Sequence, residues 1–189
     1  GVAAVIIMIA VSAGTEATIA EGINSLGANL IFVYPSFEGG GARGMMSRGG
    51  GLVYDDVEAI AEEVNGVAGV TVERNSAQLV KVGSVSLDGV TVVGTTSDFP
   101  LVRDVAVGQG RFFSEAELDR TAKVAVLGHS LAEDLFGDTN PIGQKVSVGS
   151  TKLTVVGVME ERGAVGGTDY DARLYTPITL VFQKFTPSF

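Results

Sequence analysis

The residues best suited to chemistry lie at the start of a predicted helix in the second half of the chain. His129 is the only histidine, and it follows Gly128 at a predicted strand-to-helix junction, where nucleophiles and bases often sit. Ser130 comes next, so a serine hydrolase is one hypothesis. The nucleophile elbow G-x-S-x-G is missing, however, because Ala132 stands at the position of its second glycine. Adjacent positions also give a nucleophile and its base poor geometry, so we interpret His129 and Ser130 as the capped start of a helix.

A second candidate is the pair Asp169 and Asp171, which lies in a glycine-containing segment and could offer carboxylate oxygens to calcium. The spacing of an EF-hand loop and its terminal glutamate are absent. Residues 36–51 hold seven glycines but lack the GK[ST] of a phosphate-binding loop. A general acid and base cannot be selected from spacing alone. We therefore predict no catalytic residue, no cofactor and no metal site, and we interpret residues 163–167 as a flexible, partner-facing loop.

The composition excludes several classes of protein. The chain of 189 residues has 13 basic and 22 acidic residues and a formal charge of -9, which disfavours nucleic acid and anionic lipid surfaces as partners. It contains no cysteine, so disulfide frameworks and thiolate zinc sites are excluded. Its length allows one ordinary domain or two small subdomains.

The clearest local pattern runs from residue 123 to residue 159. Residues 123–127 are rich in β-branched side chains and predict a buried strand, and residues 129–136 predict a short helix that ends at Gly137. Asn140 and Pro141 then predict a turn, with Gly143 permitting the reversal. Residues 144–148 and 151–159 predict two further strands.

The N-terminal residues predict a helix that continues beyond its apolar start. Residues 1–11 carry no charge, but spanning a bilayer takes roughly 20 residues. A buried core helix and the outer end of a transmembrane helix are both possible readings, and we favour the second. Ile19, Ile23 and Leu26 form one apolar face in the residues that follow, so we expect a continuous helix over residues 1–27.

Three further elements are predicted between residues 29 and 95. Residues 29–34 and 67–73 predict strands on either side of a helix over residues 55–64, which would form a parallel strand-helix-strand unit. Asp55 and Glu58 provide a capping box for that helix. Within residues 78–95, short alternating runs are broken at Gly83-Ser84 and at Asp88-Gly89, and the second pair is typical of a hairpin turn.

Together these segments resemble the extracytoplasmic core domain of MacB-type ABC transporter permeases, the MacB/FtsX-like family. The resemblance is strongest over residues 110–144 and 153–159, and it extends to Leu174-Tyr175-Thr176-Pro177. It implies an α+β fold of two subdomains, a porter-like part with a stalk helix and an inserted small module. The implied divisions are residues 1–14 (end of a transmembrane helix), 15–76 (stalk and first strand-helix-strand unit), 77–177 (inserted module) and 178–189 (return segment).

The resemblance also implies a function. Such a domain is non-catalytic and couples ATP hydrolysis in the cytoplasm to export or other work outside the membrane by mechanotransmission. The implied partners are a second permease copy, a cytoplasmic ATPase, an adaptor of the membrane-fusion type and the membrane through flanking helices, with no nucleic acid. The implied location is the extracytoplasmic side of the cell membrane. A secreted or periplasmic hydrolase and a stand-alone binding protein are the alternatives.

Overall fold

A computed structural model describes residues 30–33, 56–165 and 167–185. These residues form five helices and nine strands, interspersed along the chain, so the predicted α+β class is confirmed. The helices are α1 (Asp56–Glu63), α2 (Phe99–Arg103), α3 (Glu115–Asp119), α4 (His129–Phe136) and α5 (Ile178–Lys184). The strands are β1 (Glu73–Val82), β2 (Val85–Thr95), β3 (Val107–Gly110), β4 (Val124–Leu127), β5 (Lys145–Val148), β6 (Thr151–Met159), β7 (Ala164–Val165), β8 (Thr168–Asp169) and β9 (Arg173–Pro177).

Seven of these strands form one mixed sheet that closes on itself. Their order is β3-β6-β4-β9-β2-β1-β5, and β5 pairs with β6 as well as with β1. Strands β4 and β6 are parallel, as are β2 and β9, and the other neighbours are antiparallel. Closure removes most of the free edges that a sheet would otherwise expose. We call this sheet with α2–α5 the barrel module.

Strand β6 lies at the centre of the closure because it pairs along both edges. Thr154 faces Lys145 of β5 on one side and Val124 of β4 on the other, and Gly157 likewise faces Gly110 of β3 and Val126 of β4. Strands β5 and β3 therefore follow each other along one edge of β6. The carbonyl oxygen of Arg111 lies where a side chain at residue 157 would begin, so only glycine fits there.

Apolar side chains alternate between the two faces of the sheet, as strand geometry requires. One face carries Val92, Leu127 and Leu174, and α4 and α5 pack against it through Leu131, Leu135, Leu180 and Val181. The other face carries Val93, Val126 and Tyr175 and is covered by aromatic residues. There the rings of Phe99 and Tyr175 lie 5.0 Å apart, and those of Phe112 and Phe113 lie 4.3 Å apart. Both faces are thus buried in β4, in β9 and at the end of β2, which explains the near-continuous apolar runs of these strands.

The predictions for residues 123–159 are largely confirmed. Helix α4 and strand β6 have the predicted bounds, and β4 and β5 differ from them by one residue. Gly137 and Gly143 have φ angles of 55° and 82°, which L-residues rarely adopt. A periodic pattern of apolar residues with a capping or turn residue at each end is therefore sufficient to predict the helix and strands of this block.

The hairpin prediction at Asp88 and Gly89 is wrong. The turn between β1 and β2 lies at Gly83 and Ser84, and residues 88 and 89 belong to β2. The register shifts there, with Gln78 facing Val90 but Val80 facing Leu87. Asp88 and Gly89 thus form a β-bulge, in which the positive φ of Gly89 serves the bend rather than a reversal.

Of the predicted strand-helix-strand unit, only the helix is found in the described residues. Helix α1 matches the expected residues 55–64, but residues 30–33 and 67–72 are not strands in the part of the chain that the structure describes. Residues 70 and 71 instead hold the end of β2 through side chains. Thr96 donates to the Val70 carbonyl at 3.3 Å, and the Thr71 and Thr95 hydroxyls are 2.9 Å apart.

The predicted division of the chain at residues 77 and 177 stays a prediction. Strand β1 begins at Glu73 and runs through residue 77. Helix α5 begins at Ile178 and packs into the core of the barrel module through Leu180 and Val181. The predicted helix over residues 1–27 and the loop over residues 36–51 lie outside the described residues. None of the helices in the described ranges is long and apolar enough to span a membrane.

The contact between α5 and β2 predicts a penalty for Gly94→Ala. A Cβ at residue 94 would lie 2.8 Å from Val181 Cβ and 3.1 Å from Ile178 Cα, so the helix must move outward. We expect the free energy of unfolding to fall by about 1–3 kcal/mol, measured by urea titration.

Gly108→Ala is the matched control. Gly108 is also a strand glycine without a positive φ, and its Cβ would meet the flexible side chain of Glu160 at 3.2 Å. Equal losses in the two variants would contradict the tight packing of α5 on β2.

Candidate functional site

The structure brings the two sequence candidates together at the start of α4. The Gly128 N–H donates to the Arg173 carbonyl at 2.8 Å, and the Leu131 N–H donates to the Asp171 carbonyl at 3.0 Å. The Asp171 carbonyl oxygen also lies where a Cβ of residue 128 would be, so glycine is required for this contact. The strand-to-helix junction and the segment around Asp171 are therefore locked to each other through backbone atoms.

The functional groups of these residues nevertheless point to different partners. His129 Nε2 lies 3.5 Å from Glu133 Oε1, one helical turn away, and both side chains are well exposed. In the described part of the chain, no hydrogen bond joins the Ser130 hydroxyl to His129. The arrangement lacks the hydrogen-bonded nucleophile and base that covalent catalysis requires.

Asp169 and Asp171 use their carboxylates to hold backbone N–H groups. Buried Asp171 accepts hydrogen bonds from the Arg162 N–H at 3.0 Å and the Gly163 N–H at 2.6 Å. Asp169 accepts one from the Asp171 N–H at 2.9 Å. Within the described residues no cluster of histidine, cysteine, aspartate and glutamate side chains is arranged to hold a metal ion. Both carboxylates thus order the segment between residues 161 and 173.

That segment is more ordered than the flexible loop predicted for residues 163–167. Strands β7 and β8 pair as a short hairpin, with Ala164 facing Asp169. Tyr170 lies between two guanidinium groups, at 5.1 Å from Arg162 and 5.4 Å from Arg173. This stacking could not be predicted from the sequence, because the two arginines are eleven positions apart.

An open groove of about 470 Å³ runs between α4, the turn after it and the edge of β3 and β6. His129 and Glu133 line one side, and Gln109 and Val158 line the other. Asp138, Thr139 and Asn140 close its end. The walls are polar and contain no deeply buried charged group, so the groove does not have the apolar lining of a typical small-molecule site.

The carboxylate of Glu117 has a strongly lowered pKa. Arg111 donates to both of its carboxylate oxygens, at 2.7 and 2.9 Å, and the Ser114 N–H donates to it at 3.0 Å in a capping box. These contacts, led by the hydrogen bond from Arg111, hold the pKa of buried Glu117 at about 2. The S-x-x-E pattern made the capped helix predictable, but Arg111 approaches from β3 and was missed.

A second arginine, Arg103 at the end of α2, connects parts of the chain that are distant in sequence. Its Nε donates to Glu73 Oε1 at 2.6 Å, and its guanidinium lies 5.0 Å from the centre of the Phe32 ring. Its carbonyl oxygen accepts a hydrogen bond from Arg162 Nη1 at 2.8 Å. We call this group of four residues the α2 junction.

The sequence as a whole matches one known family. Residues 1–188 fit the profile described as the MacB-like periplasmic core domain. The chain belongs to this family. The resemblance predicted from residues 110–159 is therefore confirmed.

Characterised relatives support the same assignment. The chain is 31% identical over 191 residues to the macrolide export ATP-binding/permease protein MacB of Bdellovibrio bacteriovorus, covering 98% of this chain and 29% of that protein. It is 35% identical over 182 residues to the pyoverdine export ATP-binding/permease protein PvdT of Pseudomonas savastanoi pv. phaseolicola, covering 94% of this chain and 26% of that protein. The chain thus spans less than a third of the length of these relatives.

Solved structures share the fold. The periplasmic region of MacB from Actinobacillus actinomycetemcomitans superposes with a TM-score of 0.71 at 25% identity, over 90% of this chain and 75% of that one. The extracellular domain of the transporter YknZ from Gram-positive bacteria superposes with a TM-score of 0.60 at 23% identity, over 70% of this chain and 66% of that one. The second likeness concerns the fold alone.

The low pKa of Glu117 predicts an acid-dependent loss of stability. A carboxylate whose folded pKa lies near 2 and whose unfolded pKa lies near 4.5 stabilises the fold above the unfolded value and loses that contribution as pH falls through the interval. We expect Glu117→Gln to remove roughly 1–2 kcal/mol at neutral pH, less than the full shift because Arg111 is largely exposed and screened by solvent. Urea unfolding at several pH values between 2 and 7, on the order of one per pH unit, measures this.

Glu115→Gln, an exposed carboxylate on the same helix, is the control and should keep the pH dependence of the unaltered chain. A Glu117→Gln variant that loses stability with acid as steeply as the unaltered chain would show that Arg111 does not hold this carboxylate.

Proposed function

We propose that this chain is the extracytoplasmic domain of an ABC transporter permease subunit. In this proposal it couples ATP hydrolysis in the cytoplasm to export, or to other work outside the membrane, and catalyses no reaction itself. The observation that carries the proposal is the family match over residues 1–188. The relatives add support, because their names combine an ATP-binding part with a permease in one exporter.

The architecture of the barrel module suits a mechanical role. A closed sheet with close-packed central strands resists deformation, so a force applied at one point displaces it as a unit. The chain enters and leaves the module near the same place, since the Ser76 hydroxyl donates to the Phe185 carbonyl at 3.2 Å. Two neighbouring connections form a natural hinge for rigid-body motion.

The proposed partners follow from the same assignment. They are a second copy of the permease, a cytoplasmic ATPase in the same or another polypeptide, and the membrane through helices that flank the domain. An adaptor of the membrane-fusion type is a further proposed partner on the extracytoplasmic side. A macrolide is the first export probe, because macrolide export is named for several relatives.

If the domain is non-catalytic, His129→Ala and Ser130→Ala should leave transport intact. Both residues start α4 at its surface, and neither side chain has a buried polar partner, so the fold should be kept. Macrolide export by the reconstituted full-length transporter should stay within about twofold of the unaltered protein, a change below 0.5 kcal/mol. A hydrolytic activity of the domain that disappears in either variant would contradict the proposal.

If the coupling is mechanical, Thr18→Pro should separate ATP hydrolysis from the movement of the domain. Residue 18 lies in the helix expected over residues 1–27, and a proline inside a helix costs about 3 kcal/mol and bends it. ATPase activity of the reconstituted transporter should remain largely intact while macrolide export falls. The sequence has no cysteine, so a dye on Ser84→Cys, at the exposed β1–β2 turn, can report energy transfer to acceptor lipids without competing sites in this chain.

The dye gives a readout that does not depend on the transported substrate. We expect ATP to change the energy transfer from residue 84 in the unaltered transporter and in a Thr18→Ala control, but not in Thr18→Pro. If the signal and export both survive the proline, the N-terminal residues do not carry the motion and the proposal of mechanotransmission has to be abandoned.

A further inference from the structure

Three stretches that are far apart in sequence meet at the end of α2. Phe32 comes from residues 30–33, Glu73 opens β1 where the chain enters the barrel module, and Arg162 precedes the β7–β8 hairpin. All three contact Arg103, through its guanidinium or its carbonyl oxygen. Residues 30–33 directly follow in sequence the N-terminal stretch that is expected to form the helix, so the α2 junction includes the first described residues after that stretch.

Residues of the barrel module hold Arg103 in place through its backbone and its side chain. Asp104 has a φ of 50°, which ends α2 and turns the chain so that two consecutive carbonyl groups face Arg162. Arg162 Nη1 donates to the Arg103 carbonyl at 2.8 Å and to the Asp104 carbonyl at 3.1 Å. Glu73 fixes the guanidinium, and both side chains of this ion pair are only about one-fifth exposed, at 17% and 20%.

The contact with Phe32 favours an arginine over a lysine. A guanidinium is planar and weakly hydrated, so it can lie over an aromatic face while its N–H groups still bind a carboxylate. An ammonium is a compact, strongly hydrated charge that can keep the pairing with Glu73 but stacks poorly on a ring. Phe32 is 50% exposed, and the guanidinium of Arg103 lies over its ring.

We infer that Arg103 is the positioning residue through which residues 30–33 move the barrel module. Its guanidinium over Phe32 forms one side of the joint, and its bonds to Glu73 and Arg162 form the other. This inference rests on the proposed function, since it names the contact that would pass the motion on. Displacement of residues 30–33 then shifts α2, and with α2 the closed sheet, as one body.

The test uses the full-length reconstituted transporter with two conservative variants, Arg103→Lys and Phe32→Leu. The first variant keeps the charge but weakens the contact with the ring, and the second keeps apolar volume but removes the ring. We expect ATPase activity within about twofold of the unaltered protein and a loss of at least about threefold in the ATP-dependent energy-transfer change of a dye on Ser84→Cys. A dye on Glu21→Cys, in the N-terminal stretch, should keep its ATP-dependent change in both variants.

Matched controls separate the joint from general damage. Arg120→Lys changes an exposed arginine at the end of the other five-residue helix, α3, and Phe182→Leu changes a phenylalanine of similar exposure on α5. Both should leave the Ser84 signal unchanged. The double variant with Arg103→Lys and Phe32→Leu should lose no more signal than either single variant, because both remove one contact.

The outcomes distinguish this inference from the proposed function. A Ser84 signal that survives both single variants, or that falls in the double variant by the product of the single losses, overturns the role of Arg103 and leaves the proposed function intact. Loss of the Glu21 signal together with the Ser84 signal also overturns it, because the defect would then lie before the joint. If neither dye responds to ATP in the unaltered transporter, the proposed function itself fails.

Discussion

The fold depends on hydrogen bonding along both edges of β6. Strand β4 occupies one edge, while β5 and β3 occupy the other in succession, and the pairing of β5 with β6 closes the sheet. Gly157 makes it possible, because the backbone of Arg111 lies where any larger residue would place its Cβ. Each face of this one continuous sheet then carries its own cluster of buried apolar side chains.

Asp171 and Glu117 are carboxylates of the kind that can act in catalysis, but here they bind backbone N–H groups. Asp171 satisfies two N–H groups at the start of the β7–β8 hairpin, and Glu117 closes the capping box of α3 while it binds Arg111. A buried carboxylate costs free energy unless such donors surround it. Their arrangement therefore orders surface segments near the start of α4 and β3, and it fits a domain whose outer surface must keep its shape.

A rigid module with two neighbouring connections can move only as its attachments allow. The Ser76–Phe185 contact places both connections on one side, and α5 fills the space between them against β2. Under the proposed function, a displacement applied at these connections or at the α2 junction would be carried through the close-packed module rather than absorbed.

The sequence alone determined the elements whose signals are local. Helix α4 and strand β6 were predictable because periodicity, a glycine stop and a turn proline all lie within a few residues. It misplaced the β1–β2 turn at Asp88 and Gly89, since the cross-strand partners decide whether a glycine makes a turn or a bulge. The placement of α5 and the meeting of Arg103 with Phe32 were decided by the tertiary structure, because their partners lie far away in the sequence and only chain folding brings them together.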